Sequence, residues 1–99
     1  MTIEIREMSE QEVKDMCSEF DLIAVMHGFK DYYEFADSRH SAAEGMIKFG
    51  GSFTHMLGHA LARADSANSF KIYKAFREMW DEHRELWIKS EALREQRNG

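Results

Sequence analysis

Apolar and polar positions recur with a helical period through the second half of the chain. Over residues 66–97, Ile72, Tyr73, Phe76, Met79, Trp80, His83 and Trp87 fall on one face, with Ala75 and Leu86 at its edge. Lys71, Lys74, Glu78, Asp81, Glu82, Glu85 and Lys89 fall on the other. The spacing predicts one long amphipathic helix with an aromatic stripe, too large an apolar surface to leave in water. Just upstream, Ser52 is positioned to cap a helix running through Ala64. Its inner face is Phe53, Met56, Leu57, Ala60, Leu61 and Ala64. Asp65-Ser66 supplies an oxygen side chain to meet the free amides that start the long helix. Two helices joined by so short a link predict an antiparallel hairpin with the stripes facing each other. Trp80 and Trp87 then belong to the core, or anchor a partner where the last helix overhangs. His83 reads as a hydrogen-bonded core residue.

The first half is less regular. Thr2-Ile3-Glu4-Ile5-Arg6 alternates and admits a short strand. Ser9-Glu10-Gln11-Glu12 is a capping box, predicting a helix from about residue 10 to 19 with Val13, Met16, Cys17 and Phe20 as its inner stripe. Asp21 is a candidate cap for a short helix over Leu22–Gly28, which Gly28 would stop, although period alone does not separate this short apolar run from a strand. Asp31–Ala36 is aromatic and acidic: a helical turn pressing Tyr32, Tyr33 and Phe35 inward, or a docking surface. Asp37–Ser41 reads as a loop or cap, followed by a helix over Ala42–Phe49 and a break at Gly50-Gly51. The polar end, residues 90–99, is expected to fray. The fold class is mainly α: a small single-domain helical bundle over residues 1–99, built on the C-terminal hairpin, with room for a short N-terminal strand.

Composition supports that architecture. Apolar residues make up 43% of the chain and charged residues 31%, a globular balance, and proline is absent. The lone cysteine, Cys17, can form no intramolecular disulfide and reads as a small buried hydrophobe. No apolar run approaches the roughly 18 residues of a membrane span. The charged start MTIEIREM lacks the apolar core of a signal peptide. These features predict a cytoplasmic protein. The net charge is −5, unevenly spread. Residues 1–44 carry eleven acids against four Lys and Arg, whereas residues 45–99 carry seven against nine. An acidic half disfavours direct nucleic-acid binding and suits a basic partner, including the groove of a nucleic-acid-binding protein.

Candidate chemistry is sparse. His55 and His59 stand four apart on a helix, a spacing that can share a metal ion, and on this periodicity they face away from the hairpin core. With no third ligand in register, a partner-facing pair is the favoured expectation; a metal-stabilised or metal-sensing helical domain is the alternative. Gly58 and Ala62 lie beside the pair and let a second helix approach closely, in a homodimer, in a target complex, or from the N-terminal segment. The candidate partner-binding residues are therefore Asp31, Tyr32, Tyr33, Glu34, Asp37, His55, Gly58, His59 and Ala62. No Ser or Cys is paired with a base, which argues against nucleophilic catalysis. The expectation is a non-enzymatic protein that needs no cofactor.

Two resemblances bear on origin. The opening strand and helix resemble those of acetyl-coenzyme A acetyltransferases over about 20 residues, but no glycine-rich pyrophosphate loop follows. More extensive is residues 49–80, FGGSFTHMLGHALARADSANSFKIYKAFREMW. Gly50, Gly51, Ser52 and Phe53, then Leu57, Gly58, Ala60, Leu61, Ala64 and Asp65, then Asn68, Ala75, Phe76 and Trp80 look like a recurring segment of small bacteriophage and prophage proteins. His55, His59 and Arg77-Glu78-Met79 depart from that pattern. The resemblance implies a mobile-element origin and a helical hairpin, and no reaction. By analogy with small acidic phage proteins, anti-CRISPR proteins among them, it suggests an inhibitor of a host defence complex, acting by protein–protein binding or nucleic-acid mimicry.

Overall fold

The computed structural model describes residues 19–98, and all of its regular structure there is helical. We label the helices α1 (residues 19–26), α2 (Tyr32–Phe49), α3 (Ser52–Arg63), α4 (Ser66–Ala75) and α5 (Arg77–Asn98). The mainly α fold class is thus observed. The strand over 2–6, the capping box at Ser9, the helix over 10–19 up to Cys17 and the role of Cys17 itself lie outside the described residues. The chain divides into two compact units, residues 1–35 and residues 36–99.

In the first unit, α1 ends in a hydrogen-bonded cap. The Phe29 amide donates to the Ala24 carbonyl (3.0 Å) and the Gly28 amide to the Val25 carbonyl (2.9 Å). Gly28 has φ +92°, the left-handed conformation this Schellman arrangement requires. Gly28 is therefore the helix stop that its position in the sequence predicts. Gly28→Ala is expected to cost about 1 kcal/mol, because a Cβ is unfavourable at that φ. A urea melt checks this, and no loss of stability would argue against the cap.

Asp21 does not cap α1, contrary to expectation: α1 starts no later than residue 19. Its carboxylate instead accepts from the Tyr32 amide (2.8 Å), and the Asp31 carboxylate accepts from the Glu34 amide (2.9 Å). Two carboxylates thus satisfy two of the four free amides at the start of α2, where the helix dipole also favours negative charge.

In the second unit, the segment Asp37–Ser41 is not a loop. It lies inside α2, which is continuous to Phe49. The reason is visible in what α2 buries there. Ser38, Ala42, Ala43, Gly45 and Met46 form one inward face of mostly small residues. Small side chains allow the neighbouring helices to sit close.

The turn from α2 to α3 uses Gly50 and Gly51 as expected, but the N-cap of α3 is Gly51, with no side-chain hydrogen bond, and Ser52 is already helical. Between α3 and α4, the Asp65 carboxylate accepts from the Asn68 amide (2.8 Å), so the expected cap is present. Arg39 fastens this corner from α2, donating to the Ala64 carbonyl and to Ser69 Oγ, each at 3.2 Å.

The predicted long helix over 66–97 is two helices. The backbone leaves helical geometry at Phe76 (φ −126°, ψ 44°). The Phe76 amide still donates to the Ile72 carbonyl and the Trp80 amide to the Phe76 carbonyl, both at 2.9 Å. Helix α5 then runs to Asn98.

The core of this unit is centred on Trp80, which is fully buried. Its indole Nε1–H donates to Ser38 Oγ (2.9 Å), and its ring meets Tyr73 edge-on at 4.9 Å. Trp80 is therefore a core residue. His83 is half-buried on the same helix, with Nδ1 2.8 Å from the Met79 carbonyl one turn before it. A carbonyl only accepts, so Nδ1 carries the proton.

Burial pushes the Tyr73 phenol above its ordinary value of 10.0. The Arg77 guanidinium opposes this from 4.7 Å off the ring centroid, and Asp81 reinforces it. The folded state therefore holds a proton that the unfolded chain releases near pH 10. The associated stability is complete below pH about 10 and is lost as pH rises through the raised value. Tyr73→Phe should flatten the alkaline limb of a stability-versus-pH profile, and an unchanged limb would assign that loss to other groups.

Candidate functional site

The nine residues expected to bind a partner are divided between the two units. In the first unit, Asp31 is occupied in capping α2. Tyr32 is half-buried in an aromatic group, its ring centroid 5.7 Å from Phe20 and 6.2 Å from Phe35. Phe35 is fully buried and meets Phe29 edge-on at 5.2 Å. Tyr33 and Glu34 point outward, Tyr33 with 76% of its surface exposed. Of the acidic aromatic segment, Tyr32 and Phe35 are structural and Tyr33 and Glu34 face solvent. Asp37, in the second unit, is exposed.

The largest correction falls on α3. Its buried face is rotated from the expected one: Leu61 is buried and Leu57 half-buried as expected, but Phe53, Met56 and Ala60 are exposed and Gly58, His55 and His59 are covered. Gly58 is buried, and a Cβ built there would stand 2.8 Å from Met46 Cβ and 3.0 Å from both the Ala43 carbonyl oxygen and Ile47 Cγ1. Gly58 is thus where α3 crosses α2, so it cannot also receive a second chain. His55 lies on the same side, with Nδ1 2.8 Å from the Ile47 carbonyl oxygen. It joins α3 to the last turn of α2 and does not face away from the core. His59 is half-buried, its ring 4.7 Å from that of His55 and nearly perpendicular to it. Ala62 is exposed and lines a small hollow of about 90 Å³ with Arg39, His40, Ala43 and Glu44.

With the glycine side turned in, one edge of the bulky stripe is turned out while Leu61 stays buried. Phe53 is 61% exposed and Met56 66%, and Ala60 one turn further is exposed as well. Within α3 the buried positions are Gly58 and Leu61. Phe53 is not isolated: its ring centroid lies 5.8 Å from that of Phe76 at the α4–α5 break. Beside Phe76 an open groove of about 340 Å³ is lined by Lys74, Ala75, Arg77, Glu78 and Met79. Thr54 reaches the same place, its hydroxyl donating to Met79 Sδ at 3.4 Å.

Among the described residues no group of three or more His, Cys, Asp or Glu side chains is placed to hold a metal ion. His55 Nδ1 is committed to a carbonyl, leaving its Nε2 and one nitrogen of His59 for any ion. Among the described residues no helix is long and apolar enough to cross a membrane. The chain matches no protein-family model, no curated protein and no solved structure.

Proposed function

We propose that this protein is a small, non-catalytic binding module of phage or mobile-element origin. It acts in the cytoplasm of the host cell and inhibits a host defence complex, of the CRISPR type or similar, by covering a protein surface. The observation that carries the binding reading is the exposure of Phe53 and Met56 on a helix whose other face is seated against α2. Large apolar side chains held rigidly in water are the usual anchors of a protein interface. The origin and the target class rest on the likeness of residues 49–80 to small phage proteins.

Occupation of a protein surface is favoured over nucleic-acid mimicry. Asp31 spends its carboxylate on the α2 amides, which leaves Glu34 and Asp37 as the outward-facing acids of segment 31–37. Within that segment, two outward carboxylates supply few of the repeated charges that a copy of a phosphate backbone needs.

The test is an interference assay. Cells carrying an active CRISPR-type system are challenged with a targeted plasmid, with and without this protein. Expression is expected to restore transformation by orders of magnitude, and Phe53→Asp with Met56→Asp to abolish the rescue while the far-UV circular dichroism is unchanged. Absence of rescue against a panel of such systems would overturn the inhibitor reading.

A further inference from the structure

We propose that the outer face of α3, with Phe76 beside it, docks an acidic amphipathic helix of a protein partner; this rests on the binding reading above and adds the chemistry of what is bound. Phe53, Met56 and Ala60 recur at the spacing of one helix face, and Phe76 extends that surface at the break between α4 and α5. An apolar strip of this width takes the apolar side of another helix.

The charge around the strip gives the partner's sign. Helix α3 contains no Asp or Glu. From Gly45 to Phe76 the chain carries Lys48, Arg63, Lys71 and Lys74 against one acid, Asp65, whose carboxylate is taken up by the Asn68 amide. Arg63 is exposed and lies two turns beyond Met56 on the same face of α3. Lys74 borders the groove next to Phe76, and Lys71 is exposed one turn before it. Arg77 is already paired with Asp81 at 3.0 Å, and Glu78 is the one acid lining the groove. Arg63 and Lys74 thus border the strip of apolar side chains without carboxylate partners, and Lys71 adds a third positive charge on α4, inside a protein whose net charge is −5. A partner with acids flanking its apolar stripe complements this local field, and the match steers association.

A nucleic acid fits less well. Stacking platforms need successive exposed rings along a basic groove. Here Phe53 is the aromatic on the outer face of α3, and its ring already leans on Phe76. A long polyanion would also meet the acids elsewhere on the chain, whereas a single helix need touch only this face.

The full-length protein is panned against a displayed library of helix-forming peptides randomised at every position. The enriched sequences are expected to repeat apolar residues at helical spacing with Asp and Glu at the flanks. Binding of an enriched peptide, read by fluorescence anisotropy, should weaken about tenfold or more in Phe53→Ser and in Lys71→Glu/Lys74→Glu, a loss ordinary for an anchor residue. All three positions are exposed, and a melting curve on each variant confirms folding. Enrichment without acidic bias, enrichment of basic helices, no enrichment, displacement of the peptide by oligodeoxythymidylate, or a dimer in sedimentation that Phe53→Ser dissociates would each overturn the proposal. An acidic selection without rescue in the interference assay would instead retain this inference and remove the inhibitor reading.

Discussion

Gly45→Ala is expected to be among the most destabilising single substitutions in the second unit. A Cβ built on Gly45 collides with the carbonyl oxygen of His83 and stands 2.6 Å from its carbonyl carbon and 3.3 Å from its Cα. All three are backbone atoms of α5, so no rotamer change relieves the clash. The crossing of α2 over α5 must open, and with it the seat of Trp80 three residues earlier. Alanine gains about 1 kcal/mol of intrinsic helix propensity over glycine. Overpacking a rigid site costs about 3 kcal/mol or more when backbone has to move. The net loss is then about 2 kcal/mol or more, equivalent to a fall in Tm of about 10 °C for a unit of this size. Gly51→Ala is the control, because a Cβ there meets nothing within 4 Å. Thermal melts of the two variants should separate clearly. Equal stability of Gly45→Ala and the parent would mean that α2 and α5 do not cross at this glycine.

Gly45 and Gly58 also explain why part of the fold was legible in sequence and part was not. Most signals that act within a few residues read correctly, Asp21 and Ser52 excepted. Asp65 caps α4, Gly28 ends α1 with φ +92°, and Gly50-Gly51 separates α2 from α3. Signals that depend on distant partners did not. The helical period of α3 was right, but its buried side is rotated: Leu57 and Leu61 are covered as expected, whereas Phe53, Met56 and Ala60 are exposed. Size and hydrophobicity point those residues inward, whereas close approach of α2 selects the side bearing Gly58. The break at Phe76 has no proline or glycine to announce it. It lies where Phe53, from α3, meets Phe76, and Tyr73 and Trp80 meet edge-on across it. Asp37–Ser41 looked like a loop because Asp, Ser, Arg and His dominate it. Two of those side chains have partners far along the chain: Ser38 accepts from Trp80, and Arg39 donates to Ala64 and Ser69. The candidate site suffered for the same reason. With α3 rotated in this way, His55 and Gly58 leave the surface and Phe53 and Met56 enter it.

The Ser38–Trp80 pair tests the core directly, and its expected effects are large enough to measure by equilibrium unfolding. Trp80 is fully buried and Ser38 nearly so, and the indole N–H has the serine hydroxyl as its acceptor at 2.9 Å. Trp80→Ala removes the largest buried side chain of the unit. Such truncations cost about 3–5 kcal/mol, which rivals the whole stability of a small domain, so this variant is expected to be unfolded at 25 °C. The finer experiment keeps an aromatic ring in the core and removes the polar atoms one at a time. Ser38→Ala leaves the indole N–H buried without its acceptor, a loss of about 1–3 kcal/mol. Trp80→Phe removes the donor, leaves the serine hydroxyl unpaired and opens a small cavity beside it. The double variant removes both polar partners, so it should be less destabilised than the sum of the singles by about 1 kcal/mol. A coupling energy indistinguishable from zero would show that the bond contributes no net stability, and that Ser38 is tolerated in α2 only because it is small. A clear coupling would mean that this hydrogen bond, between residues 42 positions apart, helps fix the register of α2 against α5. That register places Gly45 under the His83 carbonyl and, through Ala43, Met46 and Ile47, turns the glycine side of α3 inward. Loss of the pair should therefore loosen the outer face of α3 as well. Hydrogen exchange at the α3 amides in Ser38→Ala is expected to quicken relative to the parent, and unchanged protection there would uncouple the docking face from the tryptophan core.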